Sequence, residues 1–322
     1  MKSLNIGVIG LGAIGQKHVS ALAHMDRTNL VAIADVDQNV LDSTAKQFGG
    51  TPYTDYKKMI AHPGLDAVVV ATPDQLHRYP CVCAAEAGKH ILVEKPIATT
   101  IEDGEAIIKT ADKASVKLMV GFSLRYTPQY LHAKKLVVDG KLGDLVSIFA
   151  RRLNVITQPE RIKGRCGVLL FLGSHDFDAM RWIVGSEPIS IYCEASSSVP
   201  SKYPIENETF SIIRFKNGVV GCAHIGWYLQ TQHPAGRDFK LDLVGSKGSL
   251  NIDQMRQGVE VYTQEGAKFP SMASTLVDEN RAFVNCILDD SPVPVTGEDG
   301  MRSLHMVMGA LESVKTHQPV QL

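Results

Sequence analysis

Nothing in this chain of 322 residues stays apolar for the ~20 positions that a helix needs to cross a bilayer, so a helical membrane protein is excluded. An excess of one charge is missing too. The net charge is −1, and neither nucleic acid nor an anionic membrane surface is implied as a partner. Six cysteines occur, at 81, 83, 166, 193, 222 and 286, without a C-x-x-C. They read as buried small apolar residues in a reducing compartment. There is no H-E-x-x-H and no His/Cys cluster with ligand spacing, so no metal is expected. Repeats, low-complexity tracts and heptads are also lacking. Lys2, an apolar run and Ala21-Leu22-Ala23 imitate a secretory signal, but Gly7, Gly10, Gly12, Gly15 and the Gln16-Lys17-His18 that follows suit a signal helix poorly. The expected location is the cytoplasm. What remains is a globular composition, 44% hydrophobic and 21% charged, with length for about two domains.

The stretch from Leu4 to Asp35 organises the rest. An apolar run, Leu4 to Ile9, is followed by Gly10, Gly12 and Gly15 in G-x-G-x-x-G spacing. A helical pattern comes next, with Ile14, Ala21, Leu22 and Met25 on one face. A second apolar run, Leu30 to Ala34, ends in Asp35, twenty residues after Gly15. Strand, glycine turn, helix, strand and acid is the dinucleotide-binding layout. Gly10 allows the turn, Gly12 lets backbone approach a pyrophosphate, and Gly15 lets the helix sit close on the sheet. With Ala13 and Ile14 these residues form the expected cofactor loop, whose helix N-terminus offers N–H groups to phosphate. The Asp35 carboxylate accepts from a ribose 2′-hydroxyl and repels a 2′-phosphate, so NAD is expected over NADP.

Short apolar runs alternate with helical patterns through residue 122. Strands are expected at 4–9, 30–34, 66–71, 90–93 and 117–121, and helices near 13–25, 37–48, 55–61, 76–87 and 101–114. This predicts an α/β doubly wound parallel sheet over 1–122. Residues 123–322 then read as an α+β domain with a large, mostly antiparallel open sheet, its C-terminal helices free to pack back on the first domain. Helices are expected near 128–138, 174–184, 275–288 and 298–315, and strands near 144–153, 189–197, 207–215, 218–228, 238–244 and 257–263. Asn217-Gly218 signals a type I′ hairpin. On the strand that follows, Val219, Ala223, Ile225 and Trp227 share one face, and Val220 and Cys222 the other. Apolar character on both faces predicts helices over one and a second subunit over the other, in a homodimer or homotetramer.

Ligands of open α/β sheets bind beyond the carboxyl ends of the strands. Ala71-Thr72-Pro73 with His77, and Glu94-Lys95-Pro96, close two such strands. Thr72 and Pro73 would line the crevice near the nicotinamide ribose, with His77 and Glu94 beside them, and Lys95 would sit at the nicotinamide. Oxidising an alcohol requires a proton to leave the hydroxyl, and a base titrating near neutrality does this best. Burial and the positive nicotinamide would both lower a lysine toward that range. A solvated lysine in a turn is the plain alternative.

The glycine-rich N-terminus, ATP-x-x-x-H (Ala71 to His77), EAGKHILVEKP (Glu86 to Pro96), GF-x-x-R-Y (Gly121 to Tyr126), GSHDFDAMRWIVG (Gly173 to Gly185) and GEDG (Gly297 to Gly300) resemble the Gfo/Idh/MocA family over essentially the whole chain. The resemblance implies a Rossmann domain, an open-sheet C-terminal domain, NAD(P), and oxidation or reduction at a polyol or sugar carbon. It makes Lys95 the active-site lysine, His175 the catalytic histidine and Asp178 a substrate-contacting acid. At ~100° per residue, Phe171, His175, Asp178 and Trp182 share a helix side, and the carboxylate at i+3 could orient the imidazole. Ser174 as N-cap and Asp176 in the first turn are a structural reading of the same helix start. Where the inositol-dehydrogenase pattern has an aspartate four residues before the histidine, this chain has Phe171.

Arg151, Arg152, Arg161, Lys163 and Arg165 form a basic run opposed only by Glu160. It is either a solvated loop or, with Arg125, a site for an anionic substrate group. Asn154 is a weaker candidate for a sugar hydroxyl. Three functions follow: an NAD-dependent dehydrogenase of a cyclic polyol or sugar, a dehydrogenase of an anionic sugar or nucleotide-sugar, and a non-catalytic NAD sensor that regulates a partner protein.

Overall fold

The computed structural model describes residues 2–196, 198–199, 202–253, 258–263, 266–268 and 276–322, with side chains described outside 254–275. Residues 257 and 275, where two expected elements begin, lie outside the described residues. Two compact units result. The first takes in the chain through Tyr126 and a later stretch ending at Leu304. The second takes Thr127 onward and then His305–Leu322.

In the first unit the strands are β1 (Leu4–Ile9), β2 (Thr28–Ala34), β3 (Thr51–Tyr53), β4 (Ala67–Val70), β5 (His90–Glu94) and β6 (Leu118–Gly121). They form one parallel sheet of order β3-β2-β1-β4-β5-β6. Helices α1 (Ala13–Ala23), α2 (Gln38–Phe48), α3 (Tyr56–Ile60), α4 (Arg78–Glu86) and α5 (Ile101–Ala114) alternate with the strands. Every residue of β4 is buried, as a strand covered on both faces requires. Side-chain caps start the helices where the sequence supplies them. Asp37 accepts from Asn39 N and Val40 N before α2, and Thr100 accepts from Asp103 N before α5.

Two expectations need correction here. β3 was not anticipated: it pairs only with β2 and carries Pro52, which an edge strand tolerates and a strand pattern conceals. Ile14 does not join the core face of α1. It is exposed, while Gly15, His18, Val19 and Leu22 turn inward.

The second unit opens with α6 (Pro128–Val138), β7 (Leu145–Val155), α7 (Gln158–Arg161) and α8 (Ser174–Val184). Strands β8 (Pro188–Ala195), β9 (Glu208–Phe215), β10 (Val220–Leu229), β11 (Arg237–Gly245), β12 (Gly248–Asp253), β13 (Gly258–Thr263) and β14 (Gly266–Lys268) follow. The chain then forms α9 (Val277–Leu288) in the first unit, α10 (Gly297–Thr316), and β15 (Val320–Gln321). The sheet has the order β14-β13-β12-β11-β7-β10-β9-β8-β15, and among the described residues only β7 and β10 pair in parallel. It is therefore mixed, though mostly antiparallel. Strands β12, β14 and β15 were not foreseen, because β12 (GSLNID) has only two apolar residues larger than glycine, Leu250 and Ile252, and the other two are very short.

The β9–β10 hairpin forms, but not with the expected type I′ turn. Gly218 N–H donates to Phe215 O at 3.0 Å, and of Asn217 and Gly218 only the glycine has positive φ, at 89°. A type I′ turn needs positive φ at both central residues. Here the turn is followed by a left-handed glycine, the three-residue alternative.

One face of this sheet buries Ile148, Ile213, Ala223, Ile225, Leu241 and Leu243. Trp227 is fully buried beside them, its indole N–H donating to Asn207 Oδ1 at 2.6 Å. On the other face Phe210, Ile212, Val220 and Val244 are exposed. Phe210 lies flat on His224, with ring centroids 4.1 Å apart, and His224 in turn bonds Glu208. The six cysteines are free thiols. Four are buried, and Cys83 and Cys222 are only half-buried, so the expectation of six buried residues is relaxed for those two. Among the described residues no helix is long and apolar enough to cross a membrane.

Candidate active site

The glycine loop leaves β1 at the point where the strand order reverses, between β1 and β4. Gly10 turns with φ 90°, and a Cβ there would stand 2.7 Å from the Ala71 backbone. At Gly15 a Cβ would lie 1.8 Å from Gly10 O, so helix and turn are in direct backbone contact. Over Gly12, in contrast, a Cβ would meet nothing within 4 Å. Gly12 is also the N-cap of α1 and brings no side chain to the first-turn N–H groups. Those donors, with exposed Ala13 and Ile14 around them, are thus presented to solvent as an anion site. Asp35 borders the loop. Its Oδ2 accepts from Leu11 N at 2.6 Å and its Oδ1 from Asp37 N at 3.0 Å, leaving further lone pairs for ribose hydroxyls. The site therefore fits the adenosine half of a dinucleotide. Gly15→Ala is expected to weaken NAD binding at least tenfold in calorimetry. It should also destabilise the fold by about 1–3 kcal/mol, since the loop backbone has nowhere to move.

Thr72 lies two residues beyond β4, and its hydroxyl is a buried oxygen without a hydrogen-bond partner, as an atom awaiting a ligand would be. Pro73 is exposed next to it. His77 is fully buried and bridges the two strand ends. Its Nδ1 lies 2.9 Å from Pro96 O and its Nε2 3.0 Å from Thr72 O. Burial lowers its pKa, against the pull of Asp74, and the neutral ring donates to one of these carbonyls at a time. His77 is a brace for the site wall in this arrangement. Lys95 follows β5 directly and is half-buried, with a cis peptide bond to Pro96. Glu94 turns inward, and both of its oxygens are engaged: Oε1 with His18 Nε2 at 2.9 Å, and Oε2 with Lys95 N–H at 3.1 Å. Arg125 is buried and pairs with Asp299 at 3.3 Å, inside the GEDG motif. Asp299 also caps α10 reciprocally with Thr296.

In the second unit the candidate residues gather on α8. Ser174 is not an N-cap as expected. A π-helical turn over Leu169–Gly173 runs straight into α8, and the Ser174 hydroxyl donates back to Leu170 O at 2.9 Å. Such turns are rare and accompany functional sites. His175 is half-buried and Asp178, one turn on, is buried. Asp176 does more than favour the helix start. It takes a two-point ion pair from Arg152 of β7, at 2.5 and 3.2 Å, with the guanidinium 4.3 Å from the Phe239 ring centre. Phe171 packs toward Trp227, ring centres 6.2 Å apart, and so belongs to an apolar wall. The basic run dissolves into separate fates. Arg152 is buried in its pair and Arg151 is paired with Asp238, while Arg161, Lys163 and Arg165 are exposed. Asn154 is half-buried on β7.

Two residues went unnoticed in the sequence, His18 and Glu279. Both are fully buried, and with Glu94 they form a cluster of ligand-type atoms all within 4.8 Å of one another. Their separation along the chain gives no motif. The only available signal was a histidine on the inward face of α1, three residues after Gly15.

Comparison with known proteins places this geometry. Residues 4–122 match the model of an oxidoreductase family with an NAD-binding Rossmann fold, and residues 130–251 match the GFO/IDH/MocA C-terminal domain. The chain is 28% identical to myo-inositol 2-dehydrogenase of Thermotoga maritima, over 99% of this chain and 98% of that one. It is 26% identical to the NAD(+)-dependent scyllo-inositol 2-dehydrogenase of Bacillus subtilis, over 98% and 95%. Among solved structures, scyllo-inositol dehydrogenase from Lactobacillus casei with bound NAD(H) and scyllo-inositol superposes with a TM-score of 0.85 at 26% identity, over 99% of both chains.

Proposed function

The chain belongs to the Gfo/Idh/MocA family of oxidoreductases, and from that premise we propose that it oxidises a secondary alcohol of a cyclic polyol or sugar, an inositol first of all, with NAD. The carrying observation is Lys95, an amine set at the carboxyl end of β5 in a Rossmann sheet whose glycine loop opens at the strand reversal. The dinucleotide, when bound, supplies the hydride acceptor. Glycine loop and α1 N-terminus hold its phosphates, Asp35 its adenosine ribose, and Thr72 and Pro73 border it further along. Lys95 and His175 handle the hydroxyl proton. Asp178 binds the polyol, and Asn154 is the weaker candidate beside it. Phe171 replaces the acid of an acid–histidine relay with an aromatic wall, so proton transfer falls to the lysine and histidine themselves.

The anionic-substrate reading now rests on Arg161, Lys163 and Arg165. Arg151, Arg152 and Arg125 are held in ion pairs within their own units. Arg165→Ala tests it through KM for a charged sugar. A second copy of this chain fits the exposed row Phe210, Ile212, Val220 and Val244, giving a homodimer or homotetramer to be sized by sedimentation. The six free thiols agree with the reducing cytoplasm.

The direct test is a panel of cyclic polyols and sugars with NAD and NADP, followed by NADH absorbance. Turnover of at least one inositol is expected. Tight NAD binding with no turnover on any member, plus a co-purifying protein, would instead establish a sensor. The cofactor preference is tested by Asp35→Ser. Removing a carboxylate that opposes the 2′-phosphate is expected to raise the NADP-to-NAD ratio of kcat/KM by about ten- to a hundredfold, from like-charge costs of a few kcal/mol.

A further inference from the structure

The site reading above leaves Glu94 unused. It is largely buried, and neither oxygen faces outward. One is shared with His18 and the other is tied to the main-chain N–H of Lys95. His18 is itself fixed from behind. Asn280 Nδ2 donates to Leu276 O at 3.2 Å, which turns its Oδ1 toward His18, so His18 Nδ1 at 2.9 Å is the donor and Nε2 is left for Glu94. Glu279 completes the cluster, fully buried, with neither carboxylate oxygen bonded.

We propose that His18 and Glu94 are positioning residues for Lys95: an imidazole–carboxylate pair, braced by Asn280 and roofed by Glu279, fixes the main chain from which the amine projects. This rests on the reading of Lys95 as the proton-handling group.

The charges agree with the geometry. Burial works to lower His18, yet the Glu94 bond and charge outweigh it and the imidazole is raised. Burial works to raise Glu94, and His18 with the nearby Lys95 overcomes it, so the carboxyl is lowered. Burial, with Glu94 beside it, pushes Glu279 up to about 8. An imidazolium, a carboxylate and a carboxylic acid together carry no net charge, which is the state a dry pocket favours. The same three side chains have metal-ligand chemistry. A cation would have to break the His18–Glu94 bond that faces the lysine, so the proton-held state is the one assigned.

The experiment uses the full chain with Glu94→Gln, His18→Gln and Glu279→Gln. Glu94→Gln is expected to lower kcat with myo-inositol tenfold or more while the calorimetric Kd for NAD stays within threefold. A merely structural role would not split the two. Without reference to turnover, Lys95 acetylation by acetic anhydride, read by mass spectrometry, is expected to speed up fivefold or more in Glu94→Gln and His18→Gln, with exposed Lys57 and Lys58 unchanged. The groups facing Glu279 are His18 and Glu94, with Lys95 behind Glu94. Because Glu279 keeps its proton in the folded state up to about 8 but loses it near 4.3 when unfolded, the wild type loses stability as pH rises through that window. Glu279→Gln does not titrate, so its Tm advantage is expected to widen from pH ~5 to ~8.5. A wild type that turns over an inositol alongside an unaffected Glu94→Gln overturns the proposal. Unchanged Lys95 labelling overturns it as well, as does one equivalent of chelatable divalent cation in the wild type that Glu279→Gln lacks. No inositol turnover by the wild type overturns the proposed function instead and leaves the labelling to decide this one.

Discussion

Lys95→Ala is expected to reduce kcat on the preferred polyol by about a thousandfold, the middle of the range for losing a positioned acid–base group. NAD binding, read by calorimetry, should change only a few-fold. Most contacts assigned to the dinucleotide lie on the glycine loop, Asp35, Thr72 and Pro73, and the lysine meets only its nicotinamide end. Lys95→Arg should be nearly as poor as alanine. A guanidinium keeps its proton throughout the working range and cannot accept another from a hydroxyl. Wild-type turnover in Lys95→Ala would remove the lysine from the mechanism and leave His175 as the proton acceptor.

The second large effect concerns the helix that carries His175 and Asp178. Arg152→Met removes one half of a buried ion pair and leaves the Asp176 carboxylate uncompensated on the inner side of α8. The expected loss at pH ~7 is about 3–5 kcal/mol, or a fall in Tm of roughly 10 °C for a unit of this size. Burial pushes Asp176 up, and Arg152 only partly draws it back. The sign follows from that direction. A carboxyl raised in the folded state contributes its stability below its unfolded value near 3.9, and that stability is lost as pH rises through the folded value. The Arg152→Met deficit should therefore shrink as pH falls and Asp176 takes up a proton. The double variant Arg152→Met, Asp176→Leu should recover most of the loss, since two apolar groups replace a charge pair at similar volume. An equal deficit at pH 5 and 7, followed by urea unfolding, would show that lost packing over Phe239 is responsible instead.

Much of the fold could be read from residue pattern, and the reasons are specific. β1, β4 and β5 are near-continuous apolar runs because both faces of a parallel sheet are covered. The glycine loop is legible because its backbone contacts, such as Gly15 against Gly10 O, admit no side chain. Strands that pair at an edge left little trace: β3 carries a proline and β15 has two residues. The residues proposed for the site divide in the same way. Lys95 and His175 stand in motifs, so they are singled out by the string itself. His18 and Glu279 are not, because what makes them a unit is proximity between distant segments, and a lone buried histidine has no periodicity. The basic run misled for the opposite reason. Five neighbouring cations look like one patch in a linear string, whereas alternation along β7 turns Arg152 inward to Asp176 and leaves Arg151 to Asp238.

The bond between His18 and Asn280 joins residues 262 positions apart. During synthesis at ~5–20 residues per second, the imidazole waits roughly 13–50 s on the ribosome for its partner to be made. Asn280 belongs to α9, so this bond, and with it the brace behind Glu94, can close only after the greater part of the chain has been made.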